Sequence, residues 1–216
     1  MKILGIDEAG KGPVIGPLVM CGYLVDEKNV PELRAAGVRD SKLLSASQRN
    51  KLVPKLENLA SDIILLKIPA REIDKIRNVT NLNRMEIERM AQIINAVNPD
   101  RVIIDALESD EKKFGKKVAG LINNGCEIVA ENFADKNYVE VGAASIMAKV
   151  TRDNEIAELQ KGYSDFGSGY PSDESTINFL KDWMKSNREL PDFVRKSWLT
   201  VRWIQEEMQQ RKITNF

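Results

Sequence analysis

The stretch MKILGIDEAGKGPVIGPLVM, residues 1–20, decides the reading of the fold. Ile3, Leu4 and Ile6 form an apolar, strand-like run that ends in adjacent carboxylates, Asp7 and Glu8. Asp is depleted in strands, and a buried carboxylate without compensation either costs several kcal/mol or takes up a proton. A cation is the usual remedy. Gly10, Gly12 and Gly16 then permit tight turning and close approach of the backbone to another molecule. A carboxylate at a strand end followed by such a loop reads as a metal and phosphate site.

Two further apolar runs end alike. RVIIDA (101–106) places Asp105 after Val102, Ile103 and Ile104, and EIVAENFAD (127–135) brings Asp135 to the start of a helix-like segment. Taken singly, an acid just past a strand is commonly a helix cap or a solvated turn. Together they point to one place, because α/β sheets bind ligands outside the carboxyl ends of their strands. Four convergent carboxylates repel one another without divalent cations, and hard oxygen donors suit Mg²⁺ or Mn²⁺.

Composition narrows the chemistry. The 216 residues, 43% hydrophobic and 30% charged, suit a soluble globular protein able to bury a sizeable core. No apolar run reaches membrane-spanning length, and strand-like sequence follows Lys2 directly, so a cytoplasmic location is expected. Cys21 and Cys126 have no metal-ligand spacing and read as small core residues. The chain has no histidine. That excludes Ser-His and Cys-His nucleophilic catalysis and His-ligated zinc, so hydrolysis would have to use carboxylates and a metal. The formal net charge is zero, so nucleic-acid binding needs a local patch.

Strands are expected at 2–7, 18–25, 62–69, 101–106 and 127–131. Helices are expected at 44–59, 81–97, 109–123 and 137–160, then after the cap Asp173, and finally at 192–210. This order predicts an α/β fold, a mixed five-stranded sheet flanked by helices. A first domain would span 1–173, and 174–216 would form a small helical C-terminal appendage. All three tryptophans (Trp183, Trp198 and Trp203) fall there, as aromatic anchors for a partner or as packing.

The loop fits none of the common phosphate motifs. A Rossmann fingerprint needs glycine at Ile15, and a Walker A loop needs its lysine after the last glycine, followed by Ser or Thr. An actin-like kinase needs a second glycine loop, which IIDALESD and NFADKNY do not supply.

With Asp7-Glu8-Ala9-Gly10-Lys11-Gly12 in place, the chain resembles the type 2 ribonuclease H family (ribonuclease HII) in its archaeal form. GIDEAGKGPVIGPL resembles the family's opening motif, Asp40-Ser41-Lys42 its DSK turn, and VIIDA its third-acid strand. ADKNYVEVGAASIMAKVTRD (134–153) resembles its longest block, GSGYPSD (167–173) the archaeal tyrosine motif, and VRKSW (194–198) the C-terminal segment.

The resemblance implies a ribonuclease H-like fold, cleavage of the RNA strand of RNA–DNA hybrids, and incision 5′ of a single ribonucleotide in duplex DNA. It makes Asp7, Glu8, Asp105 and Asp135 the metal-binding catalytic acids. It makes Gly10, Lys11 and Gly12 contacts to the ribose 2′-hydroxyl and sets Tyr170 on the sugar at the RNA–DNA junction. Many relatives carry Arg where this chain has Lys11, which turns a bidentate phosphate contact into a point charge. The 2′-hydroxyl is the group that distinguishes RNA from DNA. The expected products are 3′-hydroxyl and 5′-phosphate ends. Lys42, Lys149 and Arg152 suit phosphate, or are solvated helix-face charges, Arg152 with Asp153 as a partner. The alternative reading of Tyr170 is core packing.

The chain ends Gln210-x-x-Ile213-x-x-Phe216, a spacing that resembles the short motif by which replication and repair enzymes bind the sliding clamp. The other reading of this tail is that Ile213 and Phe216 pack back on the appendage. A monomer is the expected state.

Overall fold

The computed structural model describes residues 1–38 and 43–213, with side chains described through Gln210. The expectations for Asp40-Ser41-Lys42, for the Ile213 side chain and for Phe216 lie outside the described residues. In chain order the elements are β1 (Lys2–Ala9), β2 (Leu18–Asp26), α1 (Val30–Ala35), α2 (Ala46–Leu59), β3 (Asp62–Ile68), α3 (Ala70–Arg77) and α4 (Leu82–Val97). Then follow β4 (Arg101–Asp105), α5 (Glu111–Ala119), β5 (Glu127–Glu131), α6 (Ala134–Asn137), α7 (Val139–Lys161), α8 (Glu174–Ser186) and α9 (Leu199–Ile213).

The strands form the mixed five-stranded sheet that the sequence predicts, in the order β3-β2-β1-β4-β5. β2 runs antiparallel to β1, whereas β4 lies parallel to β1 and β5 parallel to β4. The described residues divide into two compact units. One holds Met1–Ala9, Val19–Lys67 and Leu82–Thr151, and the other holds Gly10–Leu18, Ile68–Asn81 and Arg152–Phe216. One of the boundaries between the units, Thr151/Arg152, falls inside α7.

In the first unit β1 is central, and Ile3 to Asp7 are all buried. Two glycines let helices sit directly on the sheet. A Cβ on Gly5 would lie 2.3 Å from the Glu140 carbonyl of α7, and one on Gly22 would lie 2.3 Å from Ile93 Cγ2 of α4. Val19, Cys21, Tyr23 and Val25 alternate along β2 and share a core with Val141, Ala144 and Ala148 of α7. The β1–β4 ladder pairs Ile3 with Arg101 through Ile6 with Ile104, so Asp7 and Asp105 arrive at the same ends of neighbouring strands.

In the second unit the core gathers Val14, Ile15, Phe166, Phe179, Leu180, Val194 and Ile204. Asp173 caps α8 by accepting from Ser175 N at 3.0 Å, as its sequence position suggests. Two expected helices change, and two short helices are added. The last helix begins at Leu199 rather than 192, because Val194 forms a β-bridge with Ile15 and cannot be helical at the same time. Helix 137–160 is interrupted by Tyr138, which is extended at φ −121° and ψ 118°. Helices α1 and α3, of six and eight residues, are too short to declare a helical period in the sequence.

Candidate active site

The first unit brings Asp7, Asp105 and Asp135 into one electrostatic group. Asp7 closes the buried run of β1 and is 6% exposed, while Asp135, in the short helix α6, is 2% exposed. Burial pushes the Asp7 carboxyl up to about 7, and the charges of Asp105 and Asp135 push it the same way. The Ser145 hydroxyl and the Glu8 backbone N–H oppose the shift by hydrogen bonding to it. That Glu8 N–H donates to Asp7 Oδ1 at 2.8 Å. Asp105 Oδ1 accepts from Ala134 N at 3.1 Å, which ties the end of β4 to the start of α6. Phe133 makes this turn possible by adopting the left-handed conformation, φ 61°.

Lys149 lies one helical turn beyond Ser145 in α7, and its Nζ donates to the Ser145 hydroxyl at 3.0 Å. The lysine thus belongs to the hydrogen-bonded surroundings of Asp7. Ser145 had no signal in the sequence beyond a polar residue inside an apolar helix face, four positions before a lysine. The donor chemistry suits a hard divalent cation: carboxylate oxygens only, in a chain without histidine. A cation there would offset both the burial of the Asp7 charge and the smaller repulsion from Asp105 and Asp135. Among the described residues no three Asp, Glu, Cys or His side chains stand as a finished ligand set. Carboxylates that raise one another's proton affinity do not close together unaided.

The second unit holds the glycine loop, and here the three glycines separate. Gly10 has φ +87°, and a Cβ on it would lie 2.6 Å from the Arg152 side chain and from the Pro17 carbonyl oxygen. Gly16 has φ +89°, and its Cβ would meet Ile156 at 2.5 Å. Gly12 is different. Its φ is not in the left-handed region, and a Cβ would find only Tyr170 Cε1, at an ordinary 3.8 Å. The fold of this unit therefore demands glycine at 10 and 16 and leaves 12 open.

Tyr170 is 39% exposed, which removes the core-packing reading of that residue. Gly169 aims it: its φ is +80°, and its carbonyl accepts from Val14 N at 2.8 Å and Ile15 N at 3.2 Å. Arg152 is not a solvated helix-face charge. It is 5% exposed, donates to the Ser168 carbonyl at 3.2 Å and lies 5.2 Å from the Tyr170 ring centre. Burial holds its pKa below the usual arginine value, with Tyr170 and Asp153 acting in opposition. Of the tryptophans, Trp183 packs against Phe179, Trp198 donates to the loop and Trp203 is 62% exposed.

A five-stranded mixed sheet with acids at the carboxyl ends of adjacent parallel strands defines a ribonuclease H-like fold. Solved structures agree. The ribonuclease H2 of Pyrococcus horikoshii superposes with a TM-score of 0.92 at 41% identity, covering 97% of this chain and 99% of its own. A Bst-RNase HIII structure shares the fold at a TM-score of 0.77 and 17% identity, over 97% of this chain and 71% of its own. The ribonuclease HII family model matches residues 4–201. The curated ribonuclease HII of Pyrococcus furiosus is 43% identical over 214 residues, 98% of this chain and 95% of its own length. The chain belongs to the ribonuclease HII family, and with it to the endoribonucleases of the ribonuclease H class that act on RNA–DNA hybrids. Among the described residues no helix is long and apolar enough to cross a membrane.

Proposed function

We propose that this endoribonuclease depends on Mg²⁺ or Mn²⁺, cleaves the RNA strand of hybrids and incises 5′ of a single ribonucleotide in duplex DNA, leaving 3′-hydroxyl and 5′-phosphate ends. The observation that carries the reading is the Asp7 carboxyl, buried beside Asp105 and Asp135 and pushed up to about 7. A fold does not keep such a group for its own stability. Asp7, Glu8, Asp105 and Asp135 hold the cations. Held there, divalent cations would supply charge stabilisation at a phosphate and lower the pKa of a water molecule. The chain's own part is to hold the carboxylates ionised and in place: Ser145 donates to Asp7, and Lys149 orients Ser145. Lys149 and Lys42 supply positive charge toward the phosphate backbone.

Gly10, Lys11 and Gly12 contact the ribose 2′-hydroxyl through the backbone, and Tyr170 packs on the sugar. The open space at Gly12 supports this, since a glycine that the protein does not need is one that a close ligand does. For the tail, the Archaeoglobus fulgidus ribonuclease HII is solved as a complex with PCNA, and it matches this chain at 37% identity and a TM-score of 0.85, covering 92% of this chain and 95% of its own. In this chain the spacing of Gln210, Ile213 and Phe216 suits a helix-in-groove plug for a sliding clamp. The enzyme works as a cytoplasmic monomer.

The test is Asp105→Asn, which removes a ligand charge at nearly constant shape. Hybrid binding and folding should persist while cleavage falls by several orders of magnitude. Near wild-type cleavage by both Asp7→Asn and Asp105→Asn would overturn the assignment.

A further inference from the structure

Arg195 heads the fully buried side chains of the described residues, ranked by size, at 0% exposure. Its donors go to backbone carbonyls of the glycine loop: Nε to Gly16 at 3.0 Å, Nη1 to Lys11 at 3.0 Å and Nη2 to Gly10 at 2.6 Å. A guanidinium is a rigid planar fork, so three carbonyls are fixed relative to one plane. Trp198, whose ring centre lies 4.8 Å from the same guanidinium, donates Nε1–H to the Gly12 carbonyl at 3.0 Å. The successive carbonyls of residues 10, 11 and 12 are thus each held by a side-chain donor.

The consequence is geometric. In a trans peptide the C=O and the following N–H point in opposite directions across one plane. Holding the Gly10 and Lys11 carbonyls on Arg195 turns the N–H groups of Lys11 and Gly12 away from it. Glycine peptides would otherwise sample several orientations, and donors fixed before binding lose less freedom when they bind.

We infer that Arg195, stacked on Trp198, is a positioning residue for ribose recognition. It presets the peptide planes that aim the Lys11 and Gly12 N–H groups, and it does not itself touch the substrate. This rests on the proposed contact between the loop and the 2′-hydroxyl. A purely structural arginine would, when replaced, weaken all binding alike. A positioning arginine would, when replaced, weaken the preference for ribose.

The experiment uses the full chain carrying Asp105→Asn to silence cleavage, and measures affinity for a duplex with one ribonucleotide against the same duplex in DNA. Adding Arg195→Lys, which keeps the charge and loses the planar fork, should lower the ribose preference about tenfold. Adding Trp198→Phe, which keeps a ring and loses the donor, should lower it about threefold, with all-DNA affinity within about twofold in both. If the Asp105→Asn protein binds the two duplexes equally, the ribose reading of the loop fails, and this inference with it. If it prefers the ribonucleotide and Arg195→Lys keeps that preference, or weakens both duplexes equally, only the inference is overturned. Should Arg195→Lys not fold, Trp198→Phe decides, and an unchanged preference there overturns it.

Discussion

The acids Asp7 and Glu8 of β1 and the loop at Gly10–Gly16 follow one another closely in the chain, yet they meet opposite physical conditions. Around Asp7 like charges gather where water is excluded, and the carboxyl is pushed up to about 7. Around the loop, carbonyls that would be costly to bury unpaired are satisfied by Arg195, Trp198 and backbone N–H groups. The acid group is a place where the fold accepts a local penalty, and the loop is a place where it removes one. Chemistry is expected from the first and shape recognition from the second.

The largest effect should come from breaking the acid group. Asp7→Asn should abolish cleavage and, in metal-free protein, raise stability. The sign follows from the shift. The folded-state pKa, about 7, lies above the ordinary 3.8, so metal-free stability falls as pH rises from about 4 to about 7 and stays low above that. Asn carries no charge to desolvate, so thermal melting at pH 8 in EDTA should show a gain on the order of 2 kcal/mol. A loss of stability there would show that the acids do not oppose one another in the folded protein.

The two loop glycines sharpen the contrast. Gly10→Ala forces a Cβ against the Pro17 carbonyl at positive φ, which should cost about 2–4 kcal/mol in denaturant unfolding. Gly12→Ala should stay within about 0.5 kcal/mol of wild type while losing preference for a ribonucleotide duplex. Equal destabilisation by both would mean that Gly12 also serves the fold.

Tyr170→Ala should change stability by less than about 1 kcal/mol, given its exposure. It should reduce incision at a single ribonucleotide at least as much as cleavage within a long hybrid. The smallest effect on catalysis belongs to the tail. Removing residues 210–216 should abolish clamp binding in titration calorimetry and leave incision intact, and unchanged clamp affinity would sink that proposal.

Much of this was legible in residues 1–20 and in the two later runs ending at Asp105 and Asp135. A carboxylate closing an apolar strand breaks a local rule, and such violations stand out. VRKSW matches as a segment, but no role for Arg195 within it was legible, because its partners lie 179 to 185 residues away in sequence. The same long-range pairing explains the overextended last helix: Val194 fits a helical period, but Ile15 claims it for a bridge. Gly5 gave no signal either, since its role is set by the Glu140 backbone crossing above it. Periodicity reports which face is apolar, and it does not report which distant segment will occupy it.

The proposed contrast between a cutting group of acids and a reading loop is tested most directly by incision of a DNA duplex with one embedded ribonucleotide. With Mg²⁺ or Mn²⁺, a single cut should appear on the 5′ side of the ribonucleotide, and the all-DNA duplex should remain whole. EDTA should abolish the cut and added metal restore it. Cleavage that persists in EDTA, or that treats the two duplexes alike, would contradict the account.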